Sequence, residues 1–200
     1  MVKVTRKNPQ AFLQISERLK ALDGLEGKAG WLESSRYEDG KPIAGIAAVQ
    51  EFGATINHPG GTPYKIGADG QAVFVAKGSP GAENLPVTKP HVIVIPPRPF
   101  MRPTAERERR HWIELMIAGA KAVVKGSMTG FDVMDQIAHK AALDIAKSIS
   151  QVTTPPLKAG TIRARLKRRS DKKTLGLLDK PLVDSGDLID SITHTVEKKQ

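Results

Sequence analysis

Apolar positions recur at helical spacing near the start of this chain and again from about residue 103 to 150. Between those stretches glycine and proline break the pattern into short runs. Asn8-Pro9 predicts an N-cap followed by proline at the first helical position. Phe12, Ile15, Leu19 and Leu22 then fall on one face, and Asp23-Gly24 supplies the stop. Residues 1–7 are basic and polar and read as a loose arm. From Lys28, Ala29, Trp31 and Glu33 alternate with Gly30 and Leu32, and Ser34 to Tyr37 lead to Glu38-Asp39-Gly40; this predicts a strand and a turn. Ile43 to Phe52 is alanine-rich and fits either a strand or a short helix, with the helix favoured and Gly53 ending it.

Residues 54–95 read as an elaborated loop region. His58-Pro59-Gly60-Gly61-Thr62-Pro63-Tyr64 is dense in breakers. Two short β-prone runs follow, Ala72 to Ala76 and His91 to Ile95, separated by a turn at Gly78-Ser79-Pro80-Gly81. They predict a β-hairpin arm that projects from the body, because it lacks the apolar residues for a core of its own. Then comes Ile95-Pro96-Pro97-Arg98-Pro99-Phe100-Met101-Arg102-Pro103. Its prolines fix φ and remove backbone donors, so it reads as an extended, rigid strand-to-helix connector. Phe100 is the anchor expected to be buried against the helices, and Pro103 suits the first turn of the next helix.

That helix is predicted to run to about Lys125, with Trp112, Leu115, Met116, Gly119 and Val123 facing inward. Gly126 to Gly130 breaks it. A second helix from about Phe131 to Ser150 carries the stripe Val133, Ile137, Ala141, Ile145 and Ile149. The two form an αα-hairpin or one long kinked helix. Pro155-Pro156 stops the second. Thr161 to Arg169 fits a short helix, Ser185 a cap, Gly186 to Ser191 one helical turn, and Ile192 to Val196 a closing strand. The elements together predict an α+β fold: a small, mostly antiparallel sheet packed against two long helices. Residues 1–53 and 95–200 form the core domain, and 54–94 are an inserted hairpin and loop arm.

Charge changes this picture in one place. The formal net charge is +10, which favours acidic partners such as nucleic acid or acidic protein faces. The excess is densest in residues 158–173, where Arg163, Arg165, Lys167, Arg168 and Arg169 form a candidate basic contact patch. The run fits either a DNA contact or a face meeting an acidic neighbour. Aromatic content of 4% disfavours a single-strand binder built on stacking platforms. The absence of cysteine excludes a disulfide framework, a thiol nucleophile and a cysteine zinc site, and fits synthesis in a reducing cytoplasm. No run is long and apolar enough to span a bilayer, and no signal peptide is expected.

Candidate chemistry is sparse. No histidine pairs with another at metal-ligand spacing. His58 and His91 are candidates to meet in the hairpin region and hold zinc, against the simpler reading as polar loop or strand-end residues. Ser185 in Asp-Ser-Gly lacks the flanking glycines of a nucleophile elbow. Gly78-Ser79-Pro80-Gly81 lacks the Gly-Lys-Ser/Thr of a phosphate loop. Asp184, Asp187 and Asp190 do not reproduce a calcium loop. No catalytic residue, metal or cofactor is expected, and the chain does not read as an enzyme.

The order of motifs is more informative than any one of them. Ala47-Ala48-Val49-Gln50-Glu51-Phe52-Gly53 precedes the proline connector, after an insertion. Thr154-Pro155-Pro156-Leu157 with Thr161-Ile162-Arg163 follows, and Lys180-Pro181-Leu182-Val183-Asp184-Ser185-Gly186-Asp187-Leu188-Ile189-Asp190-Ser191-Ile192 closes the series. Over most of residues 44–196 this resembles the tail-completion and neck proteins of tailed bacteriophages, the virion-morphogenesis and minor-tail-component group. The chain departs from that pattern at Ser185, where threonine is usual, and in the long 54–95 insertion.

The resemblance implies a structural virion protein, made in the bacterial cytoplasm. It would form a homo-oligomeric ring, a hexamer or dodecamer, at the head–tail junction or the top of the tail. Its partners would be further copies of itself, the neighbouring connector and tail proteins, and DNA passing through the lumen without sequence-specific binding; no membrane is implied. His58, Tyr64, Phe74, Arg98, Phe100 and Arg102 are the candidate assembly residues. The arm is expected to reach a neighbour, and the basic run to meet an acidic protein face. The competing reading is a basic DNA-binding protein that uses residues 158–173 directly.

Overall fold

The two longest amphipathic segments form an antiparallel helical pair. In the computed structural model, described for residues 9–68, 70–169 and 178–199, helix α1 covers Pro9–Asp23, α2 Ile43–Phe52, α3 Met101–Lys125 and α4 Gly130–Gln151. Gly126, left-handed at φ 78°, ends α3. A capping box opens α4: Thr129 Oγ1 accepts the Asp132 N–H at 3.1 Å, and the Asp132 carboxylate accepts the Thr129 N–H at 3.0 Å. The hairpin alternative therefore holds over the kinked helix. The helices pack closely at Gly119, where a Cβ would overlap the Val133 side chain.

The predicted inward face of α1 is only partly used. Leu22 is buried, packed with Val123 and Val133, but Phe12 is 52% exposed and Leu19 also remains at the surface. The hairpin meets α1 at its C-terminal end: at Gly130 a Cβ would come within 2.8 Å of Leu22 Cα. The expected arm at residues 1–7 and cap at Asn8 lie outside the described residues.

Strand β1, Leu25–Gly30, pairs antiparallel with the C-terminal strand, running from Leu25↔Lys198 to Gly30↔Thr193. This two-stranded sheet lies on α4. Gly27 permits the approach, because a Cβ there would meet Ala138 and Met134 at 3.1 Å. The strand expected from Lys28 through Glu33 instead starts at Leu25 and stops at Gly30. Trp31 turns inward, packs edge-on against Phe100 with ring centroids 5.8 Å apart, and donates its indole N–H to Leu188 O at 2.9 Å. Ile43, Ala47, Phe100, Ile145, Ile149, Leu182 and Leu188 complete this core.

Within the inserted arm, β2 (Ala54–His58) pairs with β5 (His91–Ile95), and β3 (Tyr64–Ile66) pairs with β4 (Ala72–Phe74). The hairpin expected between residues 72–76 and 91–95 is thus replaced by two nested hairpins. The breaker-rich stretch supplies the missing strands: Gly60, at φ 80°, lets the chain pass so close to Thr88 O that a Cβ would sit 2.5 Å from it. Gly61 N–H then bonds to Thr88 O at 2.8 Å. Among the described residues, no arm strand packs substantially against a body element.

The C-terminal part contains α5 (Ala159–Arg169), α6 (Asp187–Asp190) and β6 (Thr193–Lys198). Ser185 is not the helix cap. Gly186 occupies that position at φ 102°, and the Ser185 hydroxyl donates to the Asp187 carboxylate at 2.7 Å.

Candidate assembly surface

The arm leaves the body at Gly53 and returns through the proline connector, and one buried carboxylate ties the two roots together. Glu51, in the last turn of α2, accepts the backbone N–H groups of Phe100, Met101 and Arg102 at 2.7, 2.9 and 3.1 Å. These are donors at the first turn of α3, which lack partners within the helix. A carboxylate placed there also meets the positive end of the helix dipole. Arg102 Nε adds an ion pair at 3.0 Å to Glu51 Oε1, and its guanidinium lies 4.8 Å from the centre of the Phe52 ring. Burial pushes the Glu51 carboxyl up, but the three backbone donors and Arg102 outweigh it and hold the group below its usual range.

Arg98 fastens the same root to a third element. Its N–H donates to Gln50 O at 2.6 Å, and its guanidinium donates to Pro155 O at 2.9 Å and Pro156 O at 3.4 Å. The residue is 8% exposed, and burial lowers its pKa. Arg98 and Arg102 are therefore both engaged within the subunit. Phe100 is wholly buried in the core. As an anchor it lies where the sequence places it; as an interface residue it is corrected, since it has no surface to offer.

The arm candidates remain accessible. His58 and His91 face each other across the β2–β5 register, stacked with centroids 4.9 Å apart. Each Nδ1 is engaged locally: His58 accepts the Gly60 N–H at 3.0 Å, and His91 lies 2.8 Å from Lys89 O. The two meet as the zinc reading required, but among the described residues no group of three His, Asp or Glu side chains could hold a metal ion. Tyr64 and Phe74 are cross-strand partners in the β3–β4 hairpin, at the end away from its turn.

The basic patch is divided by the fold. Arg163 is exposed. Arg165 turns inward, 6% exposed, and donates to Lys180 O at 2.6 Å, Val183 O at 3.0 Å and Pro181 O at 3.0 Å. It pins α5 to the segment before α6 and leaves the contact patch. Lys167, Arg168 and Arg169 belong to α5, but their side chains lie outside the described residues, as do residues 170–177.

Two charged residues escaped sequence reasoning. Glu51 was visible only as part of a motif; an acid closing an apolar helix just before Phe-Gly was the available signal. Asp144 is buried on α4, where it accepts from Trp112 Nε1 at 2.9 Å and pairs with Lys140. Burial raises its carboxyl, and Lys140 and Trp112 together bring it below the usual range. Its signal was the Lys140–Asp144 spacing of one helical turn.

Among the described residues no helix is long and apolar enough to cross a membrane. The geometry is that of an anchored, projecting arm. Comparison with family models, curated proteins and solved structures finds no match to this chain.

Proposed function

We propose that this chain is a structural virion subunit of a tailed phage, one copy in a homo-oligomeric ring at the head–tail junction or the top of the tail, joining tail to capsid connector. The observation that carries the assembly part of this reading is surface. The chain has 14057 Å² of accessible area, whereas a compact monomer of its mass has about 9,200 Å². The residues outside the description do not account for the difference. At the exposure of an unfolded chain, roughly 160 Å² each, they would still leave the rest about 2,000 Å² above the compact value.

The arm holds much uncovered apolar surface: Ile56, Ile66, Phe74, Val87, Val92 and Val94 are all exposed. Two-stranded ribbons are marginal in water unless something packs on them, and a neighbouring subunit would supply that cover. The order of motifs supports the phage assignment. Glu51, Arg98, Phe100 and Arg165, which belong to those motifs or lie between them, all hold the subunit together. DNA would pass through the lumen without specific contacts.

Light scattering and negative-stain imaging of the purified chain test the proposal. Closed rings with a mass of six or twelve subunits are expected. A monomer that binds duplex DNA with steep salt dependence would favour the DNA-binding reading instead, through the basic run of residues 158–173.

A further inference from the structure

We infer that the apolar face of the arm's β3–β4 hairpin in one copy seats in an apolar groove on the body of a second copy. This rests on the assembly reading above and names the surfaces that make the contact.

The groove lies beside the helical pair. Helices α3 and α4 close upon each other at Gly119 and Val133, and away from that point a cavity of 390 Å³ opens between them and β1. Ala105 and Trp112 line it from α3, Met134, Ile137 and Ala141 from α4, and Gly27 from the sheet. The small residues make the space, and the hydrogen bond from Trp112 Nε1 to Asp144 holds the two helices at a fixed separation. A dry cavity of about 150 Å³ already admits a benzene ring, so this one has room for an aromatic side chain and an aliphatic neighbour.

One face of the β3–β4 hairpin offers such a pair. The register Tyr64↔Phe74 and Ile66↔Ala72 puts these four side chains on one face of the β3–β4 hairpin, with Lys65 and Val73 on the other. Phe74 is 65% exposed and Ile66 62%. The chain's own arm does not fill its own groove, for no arm strand packs substantially against α3, α4 or β1.

The surplus area is large enough for a second copy to be the occupant. A stable protein–protein contact buries roughly 1,200–2,000 Å² in total, which the surplus over a compact chain accommodates. The apolar projection and the apolar recess are different surfaces of the same chain. That is the heterologous, head-to-tail pairing from which a ring is built.

The chain contains no cysteine, so the contact can be trapped without background. Full-length Ala72→Cys and Ala141→Cys chains, both keeping Phe74, are prepared separately, mixed under assembly conditions and oxidised. A disulfide-linked dimer in the mixture, absent from either chain alone, is the expected result. Phe74→Asp, at an exposed position, should retain the wild-type circular dichroism spectrum and need at least a tenfold higher concentration to assemble. Wild-type oligomers accompanied by no mixed dimer, or by Ala72→Cys homodimers only, would overturn the inference and leave the ring reading standing. A wild-type chain that stays monomeric at every concentration would overturn both.

Discussion

The Phe100 backbone N–H donates to the Glu51 carboxylate over 2.7 Å, so the helix that launches the arm also holds the chain where the arm returns. Phe100 itself is wholly buried. The arm's angle to the body is therefore set by a buried polar contact and a buried aromatic ring at the same residue. Glu51→Gln keeps the shape but removes the charge that Arg102 and three backbone donors share. A loss of about 1–3 kcal/mol is expected, the range for leaving buried donors poorly matched. Thermal melts of the two proteins compare them directly; equal midpoints would mean that the contact does not stabilise the fold.

Acid should weaken the protein through the same group. Glu51 and Asp144 both titrate lower folded than unfolded. The stability they contribute is therefore complete above the unfolded carboxylate range near 4 and is lost as pH falls through their folded values. Denaturant midpoints measured between neutral pH and about pH 3 should fall on the acid side, and Glu51→Gln should show a shallower fall than wild type. Parallel profiles for the two would remove Glu51 from the account.

Phe100→Ala should cost about 3–5 kcal/mol, as expected for emptying an aromatic site in a packed core. Because Phe100 anchors the connector, the arm strands should also lose amide protection in hydrogen exchange. A melt within a degree of wild type would contradict its place between Trp31 and the helices.

Two arginines in the same basic helix should behave differently. Arg165→Ala removes the donor for three carbonyls between residues 180 and 183 and should destabilise the chain by more than about 1 kcal/mol. Arg163→Ala, at an exposed position, should stay within about 0.5 kcal/mol of wild type. Paired thermal melts decide the matter, and similar effects in both would mean that α5 is not fastened through Arg165.

The sequence pattern made the helices legible because their signals are local. The stripe from Val133 to Ile149 and the glycine stops at Gly53 and Gly126 report on neighbouring residues only. Strand pairing was less legible. Tyr64-Lys65-Ile66 is too short for alternation to register amid Pro63, Gly60 and Gly61, yet it supplies the partner of β4. The candidate residues divided on the same principle. Phe100 could be recognised as an anchor from its proline frame, whereas the inward turns of Arg98 and Arg165 depend on carbonyls 57 and 15–18 positions away. Composition marks such residues as charge, and only the fold shows that the charge is consumed inside.

Light scattering of the full chain beside a chain lacking residues 57–90 tests whether the arm joins copies of this chain into a ring. The full chain should give a closed oligomer of fixed mass, a multiple of 21.6 kDa. The shortened chain should be a monomer at the same concentration, with its helical spectrum intact. Equal masses for the two would contradict the claim.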